Sequence, residues 1–179
     1  MQRHSFEYFL RETNPANGLV SDKSQPGSPA SIAAVGFALA AYPVGVERGW
    51  MTRTDALART LAVLRFFWAS RQDTTTDATG HQGFYYHFLD MSTGQRAGLC
   101  ELSTIDSTFL FAGMLAAAAY FDHDDEDEQA VRTLADSLYR RANWAWACSG
   151  AATVTHGWTP EVLAHLAGPA RHPGRLRAQ

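Results

Sequence analysis

Two helix-length stretches, Ser31 to Gly45 and Ser103 to Phe121, are apolar on nearly every side, so each needs neighbours all round it. Neither can be a surface helix with one wet face. Pro43 is expected to kink or end the first of them. Helices with a single apolar stripe lie between and around these two. Thr52 to Ser70 has Thr52 or Thr54 as cap and Asp55 in its first turn. Its stripe is Leu57, Leu61, Leu64, Phe67 and Trp68, with Arg53, Arg59 and Arg65 elsewhere on the wheel. Glu128 to about Trp146 places Val131, Leu134, Leu138 and Tyr139 on one face, with Arg132, Arg140 and Arg141 outside. A shorter helix over about Ser5 to Glu12 is expected to start at a Ser5 cap. Inner and outer character therefore alternate along the chain. That order suits an α/α toroid, a ring of inner helices wrapped by outer ones, although periodicity alone permits any helical bundle.

With 179 residues, 46% hydrophobic and 18% charged, the chain has the make-up of about one globular domain. A net charge of -3 gives no broad basic field, which argues against nucleic acid or an anionic membrane surface as partner. The most apolar run, Ile32 to Val46, is interrupted by Gly36, Pro43 and Gly45 and falls short of the ~20 residues of a membrane span, so no membrane insertion is expected. Cys100 and Cys148 lack metal-ligand spacing and are expected as buried thiols. Asp122 to Glu128 reads as a solvated linker and helix N-terminus. As written, Met1 to His4 runs straight into an amphipathic segment, without an export signal.

Three connecting segments combine carboxylates, aromatics and hydroxyls. The first is Gly83-Phe84-Tyr85-Tyr86-His87-Phe88-Leu89-Asp90, expected as a small aromatic β-hairpin or extended loop. Phe84 and Phe88 suit a core, whereas Tyr85, Tyr86 and His87 suit either a core or a sugar ring. The second is Cys100-Glu101-Leu102-Ser103-Thr104-Ile105-Asp106, where Ser103 or Thr104 can cap a helix. Asp106 falls in an otherwise apolar helix and needs a partner or a wet cavity. The third is Thr155-His156-Gly157-Trp158-Thr159-Pro160-Glu161. Glycoside hydrolysis usually needs two carboxyl groups, and Asp106 and Glu161 can form such a pair.

These segments, with Ala34-Val35-Gly36-Phe37-Ala38-Leu39 and Gly45-Val46-Glu47-Arg48-Gly49-Trp50, occur in the order seen in glycoamylase-like proteins. The chain resembles that family over about Phe6 to Glu161. It is similar to the branch holding the β-1,2-glucanases of glycoside hydrolase family 144, and more distantly to the cyclizing domain of cyclic β-1,2-glucan synthases. The resemblance implies an all-α, (α/α)6 toroid, no cofactor or obligatory metal, and hydrolysis or transfer of β-glucan links by paired acids. It places the acid at the start of the inner helix on Asp106, with Glu101 just upstream, and the later loop acid on Glu161. Sugar contacts are expected from Tyr85, Tyr86, Trp158 and Trp50, with His87 and His156 beside them. The implied partner is a glucan oligosaccharide or polysaccharide.

After Glu161 the sequence departs from the family's glycine- and aromatic-rich continuation. Residues 1–161 therefore read as the N-terminal part of a glycoamylase-like catalytic domain, and 162–179 as a divergent basic tail, disordered or out of frame. About five of the twelve helices of a full toroid are expected. Such a partial ring leaves apolar inner helices uncovered and implies non-specific self-association. Two readings stay open: a fragment of a glycoside hydrolase or transglycosylase, or a remnant that binds sugar without turnover. The resemblance implies that complete relatives are periplasmic or exported.

Overall fold

The computed structural model describes residues 2–150 and 152–161; the expected divergent tail at 162–179 lies outside the described residues. Helix α1 spans Gln2–Arg11. It starts earlier than the Ser5 cap because Glu7 faces Arg3, His4 and Arg11 one turn away on either side, which supports an extra N-terminal turn. Helix α2 spans Ile32–Glu47, capped by the Ser31 side chain, which accepts from the Ala34 amide. Pro43 lies inside α2 and does not end it. A proline forfeits one backbone bond, and here the last turn is closed beyond it, by Arg48 N–H to Val44 and Trp50 N–H to Gly45.

Helix α3 spans Arg53–Ala69, with Thr52 as its cap, α4 spans Thr104–Tyr120 and α5 spans Glu126–Arg141. Trp68 was expected on the buried stripe of α3 but is 47% exposed. The run expected to continue to Trp146 breaks at Asn143, whose side chain caps a separate one-turn helix α6, Trp144–Ala147, while its N–H donates to the Gln82 carbonyl. Two members of the polar face are also not free. Arg141 donates to the Phe67 and Trp68 carbonyls, and Glu128, at the end of the acidic run, is only 2% exposed.

Helices α2 and α4 are the inner pair and run parallel. They cross where Gly36 meets Gly113, and a methyl on Gly113 would collide with the Gly36 carbonyl. At their far ends the Tyr120 hydroxyl donates to Glu47 Oε1 at 2.8 Å. Outside them, α3 and α5 are tied at their starts by Arg53 Nε to Glu128 Oε1, 2.7 Å. Tyr42, Leu39, Leu64, Phe67, Phe111, Met114 and Leu138 fill the space between the layers. The opposite side of the inner pair is open: Phe37, Val44, Ile105, Phe109 and Leu115 are 40–52% exposed. The described residues thus form part of a toroid, with its inner helices covered on one side.

The strands sit at the end where α2 and α4 begin. β2 (Gly80–His81), β3 (Phe84–Tyr86), β5 (Leu102–Ser103) and β6 (Gly157–Trp158) form one antiparallel sheet in the order β2-β3-β5-β6. The turn of the β2–β3 hairpin is Gln82-Gly83, both at positive φ (55° and 81°), as a two-residue hairpin turn of this hand requires. Phe88–Leu89 (β4) instead pairs with Ala30–Ser31 (β1). Ser31 and Ser103 each end a strand and cap an inner helix, so sheet and helix N-termini are joined by single residues.

Candidate active site

Asp106 occupies the first turn of α4, where its carboxylate meets the positive end of the helix rather than the apolar interior. The Ser103 hydroxyl accepts from the Asp106 N–H at 3.1 Å and donates to Oδ2, leaving Oδ1 free. His87, between β3 and β4, reaches this oxygen from the neighbouring strand. Its Nε2 lies 3.8 Å from Asp106 Oδ1, and its Nδ1 is 3.0 Å from Glu101 Oε1. The backbone fixes the second contact, because His87 N–H donates to the Glu101 carbonyl at 2.9 Å. The ring lies flat on Phe88 at 3.9 Å. The side chains of His87, Glu101 and Asp106 are 29%, 35% and 19% exposed, open enough for a ligand to touch and closed enough for their charges to interact.

Glu161 is held elsewhere. Arg96, whose side chain is fully buried, meets it with two bonds, Nη1–Oε1 at 2.6 Å and Nη2–Oε2 at 3.2 Å. The Arg96 bonds hold the Glu161 carboxyl below the ordinary carboxylate range. Arg96 also donates to the Cys100 carbonyl at 2.6 Å and lies over the Tyr86 ring at 4.7 Å. Sequence reasoning missed Arg96. It sits alone in a turn-rich loop, 65 residues from its partner, and nothing in the local pattern marks it as buried.

Tyr85 and Tyr86, expected to stack on sugars, are corrected to core residues, both 0% exposed. Tyr85 packs edge-on against Phe67 at 4.7 Å and accepts from Arg141, while Tyr86 is roofed by Arg96 and its burial pushes its hydroxyl up to about 12. The β3 backbone pairs on both sides within the sheet, which draws all three of its residues inward. Trp158 is partly exposed on β6, opposite Leu102, and stacks on His81 at 4.7 Å with Trp146 at 6.1 Å. His81 was not singled out from the sequence; burial pushes its pKa down. The His156 side chain is exposed, while its carbonyl accepts from Thr104 and anchors the start of α4.

Trp50 does not belong to this site. It follows the C-terminus of α2, about 24 Å of helix away from the strand end at 1.5 Å per residue over 16 residues. There it packs on Phe6 at 5.4 Å and lines a separate recess of about 520 Å³ with Leu10, Met51 and Arg59.

One ring nitrogen of His87 and one carboxylate oxygen each of Glu101 and Asp106 lie within 4.8 Å of one another, so the cluster has donor types and spacing that suit a divalent cation as well as proton transfer. His123, Asp125 and Glu128 form a second such group, but Glu128 is already bound by Arg53.

No family profile matches the chain. An exo β-1,2-glucooligosaccharide sophorohydrolase (non-reducing end) from Parabacteroides distasonis is 29% identical over 153 residues, covering 82% of this chain and 20% of that protein. A candidate glucoamylase from Bacteroides uniformis superposes with a TM-score of 0.80 at 30% identity, over 89% of this chain and 39% of that one. A β-1,2-glucanase from Parabacteroides distasonis gives 0.75 at 24% identity, over 89% and 23%. An endo-β-1,2-glucanase from Chitinophaga pinensis, solved with sophorotriose and glucose, gives 0.76 at 22% identity, over 89% and 39%. The last two carry the fold alone. The chain thus spans between a fifth and two fifths of these proteins. Sequence similarity over most of the chain, the inner–outer helix order and the shared fold converge on one conclusion: the chain is similar to one portion of these proteins.

Proposed function

We propose that the chain supplies part of the catalytic cleft of a glycoside hydrolase acting on a β-1,2-linked glucan. Asp106 and Glu101 act in acid–base chemistry, Glu161 is the third acid, and Trp158 is the sugar platform. The convergence of Glu101, His87 and Asp106 at the start of an inner helix carries this reading, since cleavage of a glycosidic bond needs one carboxyl to give a proton and another to take one or to attack. Glu161 suits the accepting role, because Arg96 holds it ionised. The substrate reading is supported by the relative that is an exo β-1,2-glucooligosaccharide sophorohydrolase. On this reading residues 1–161 are one portion of a glycoamylase-like catalytic domain, and the chemistry runs without a metal.

In a second reading the cluster and Trp158 bind sugar without turnover. One experiment separates them. The purified chain is titrated with linear β-1,2-, β-1,3- and β-1,4-glucan oligosaccharides, and reducing ends are counted in the same samples. Selective β-1,2 binding with release supports the enzyme reading, and selective binding without release supports the second. Equal affinity for all three linkages, or no binding by folded protein, overturns both.

A further inference from the structure

Glu101 sits where the sheet stops supporting it. The His87 N–H donates to its carbonyl at 2.9 Å, one rung past the paired residues of β3 and β5. Beyond that rung the two chains part. Phe88 pairs with Ser31, while Glu101 is preceded by a turn at Gly98-Leu99 whose Leu99 is 81% exposed. His87 has a second anchor, since its carbonyl accepts from the Ile32 N–H at the start of α2. Glu101 depends instead on what holds the residue before it, and that is Arg96. The Arg96 Nε donates to the Cys100 carbonyl at 2.6 Å. Among the described residues, no other side chain donates to the backbone of residues 97–101.

The same guanidinium grips Glu161 end-on, Nη1 to Oε1 at 2.6 Å and Nη2 to Oε2 at 3.2 Å, so all three of its nitrogens are engaged. Its N–H bonds lie in one rigid plane. The Cys100 carbonyl and the Glu161 carboxyl are therefore held at a set spacing, which two separate donors would not enforce. The root of the side chain is fixed too, because the Arg96 N–H donates to the Ala78 carbonyl and the Ala97 N–H to that of Phe88. With the side chain 0% exposed and the Tyr86 ring 4.7 Å from its guanidinium carbon, water does not compete for these bonds. We propose that Arg96 is a positioning residue: one buried planar peg that sets Glu101 and Glu161, acids from segments far apart in sequence, at a fixed place relative to each other and to His87. A lysine at 96 would supply the charge without the fork. The role in turnover rests on the hydrolase reading above; the positioning itself does not.

Residue-resolved hydrogen–deuterium exchange by mass spectrometry tests this on the whole chain, comparing wild type with Arg96→Lys, Arg96→Met and Gly113→Ala, the last a destabilised control at the α2–α4 crossing. In both Arg96 variants the His87 amide, which reports the rung to Glu101, should exchange about tenfold faster, the effect of losing roughly one hydrogen bond. The Tyr86 amide, bonded to the Thr79 carbonyl, should keep its rate, and Gly113→Ala should not single out His87. In turnover of β-1,2-glucan, kcat should fall about 100-fold in both Arg96 variants with KM little changed, since a displaced acid loses rate before it loses sugar binding. Wild-type His87 exchange in Arg96→Lys and Arg96→Met, or acceleration spread evenly over sheet and inner helices, overturns the positioning role, as does a loss seen in KM alone. A chain without turnover sinks the hydrolase reading, and the exchange rates then decide the positioning role by themselves.

Discussion

Cutting the Arg96–Glu161 pair from its two ends should have unequal consequences, because the partners are unequally buried. The Arg96 side chain is 0% exposed and that of Glu161 is 39% exposed. In Glu161→Ala the guanidinium stays buried with only the Cys100 carbonyl and the Tyr86 ring for company, and an uncompensated buried charge of this kind costs about 3–5 kcal/mol. In Arg96→Met the stranded carboxylate turns to water and an apolar side chain of similar length fills the space, so the loss is that of a few hydrogen bonds, about 1–2 kcal/mol. The double variant should lie close to Arg96→Met, the second substitution costing almost nothing once the buried charge is gone. Equilibrium urea unfolding followed by far-ultraviolet circular dichroism measures all three. At a slope of about 2 kcal/mol per M, Glu161→Ala should lower the midpoint by roughly 1.5–2.5 M and Arg96→Met by under about 1 M. A Glu161→Ala protein as stable as wild type, or two single losses that simply add, would refute the burial argument.

Acid should unfold the chain through two ion pairs, each with one buried partner. Glu128 and Glu161 are held below their ordinary value of 4.5 by Arg53 and Arg96, so their contribution is complete above that pH and is lost as pH falls through the lowered values. Glu128→Gln should therefore flatten the fall of the urea midpoint between neutral pH and pH 3, and an unchanged slope would count against it. Gly113→Ala should cost about 1–3 kcal/mol by thrusting a methyl into the Gly36 carbonyl, read as a lowered melting temperature. The open apolar side of the inner helices should drive concentration-dependent association, and Phe37→Glu with Phe109→Glu should suppress it in analytical ultracentrifugation. Titration with β-1,2-glucan oligosaccharides should change tryptophan fluorescence through Trp158, with most of the response lost in Trp158→Phe and kept in Trp50→Phe.

What could be read in the sequence was whatever the helical period encodes. The inner helices declared themselves because Ile32 to Gly45 and Thr104 to Tyr120 have no polar face; the caps Thr52 and Ser103 were each visible beside an alternative, Thr54 and Thr104, while Ser31 was not singled out as a cap. Pro43 misled because one lost backbone bond is small beside the packing of an inner helix. Glu101 and Asp106 stood out by chemistry at a helix start, and the strand that brings His87 between them is where the structure adds most. Tyr85 and Tyr86 could not be sorted into core or cleft, since their burial depends on a sheet whose outer strand comes from residues 157–158. Arg96 was hidden for the same reason: its pairing is long-range, and local composition holds no trace of it.

The central claim, that glucan is handled where Glu101, His87 and Asp106 meet, is tested most directly by affinity labelling. An epoxyalkyl β-sophoroside carries a β-1,2-linked disaccharide to its site, where a nearby carboxylate opens the epoxide and forms an ester that mass spectrometry can locate. The account predicts modification of Asp106 or Glu101, suppressed by excess β-1,2-glucan oligosaccharide and reduced in Trp158→Ala. Labelling confined to the Trp50 recess or to the acidic run at 122–128, or labelling that excess oligosaccharide does not suppress, would contradict it.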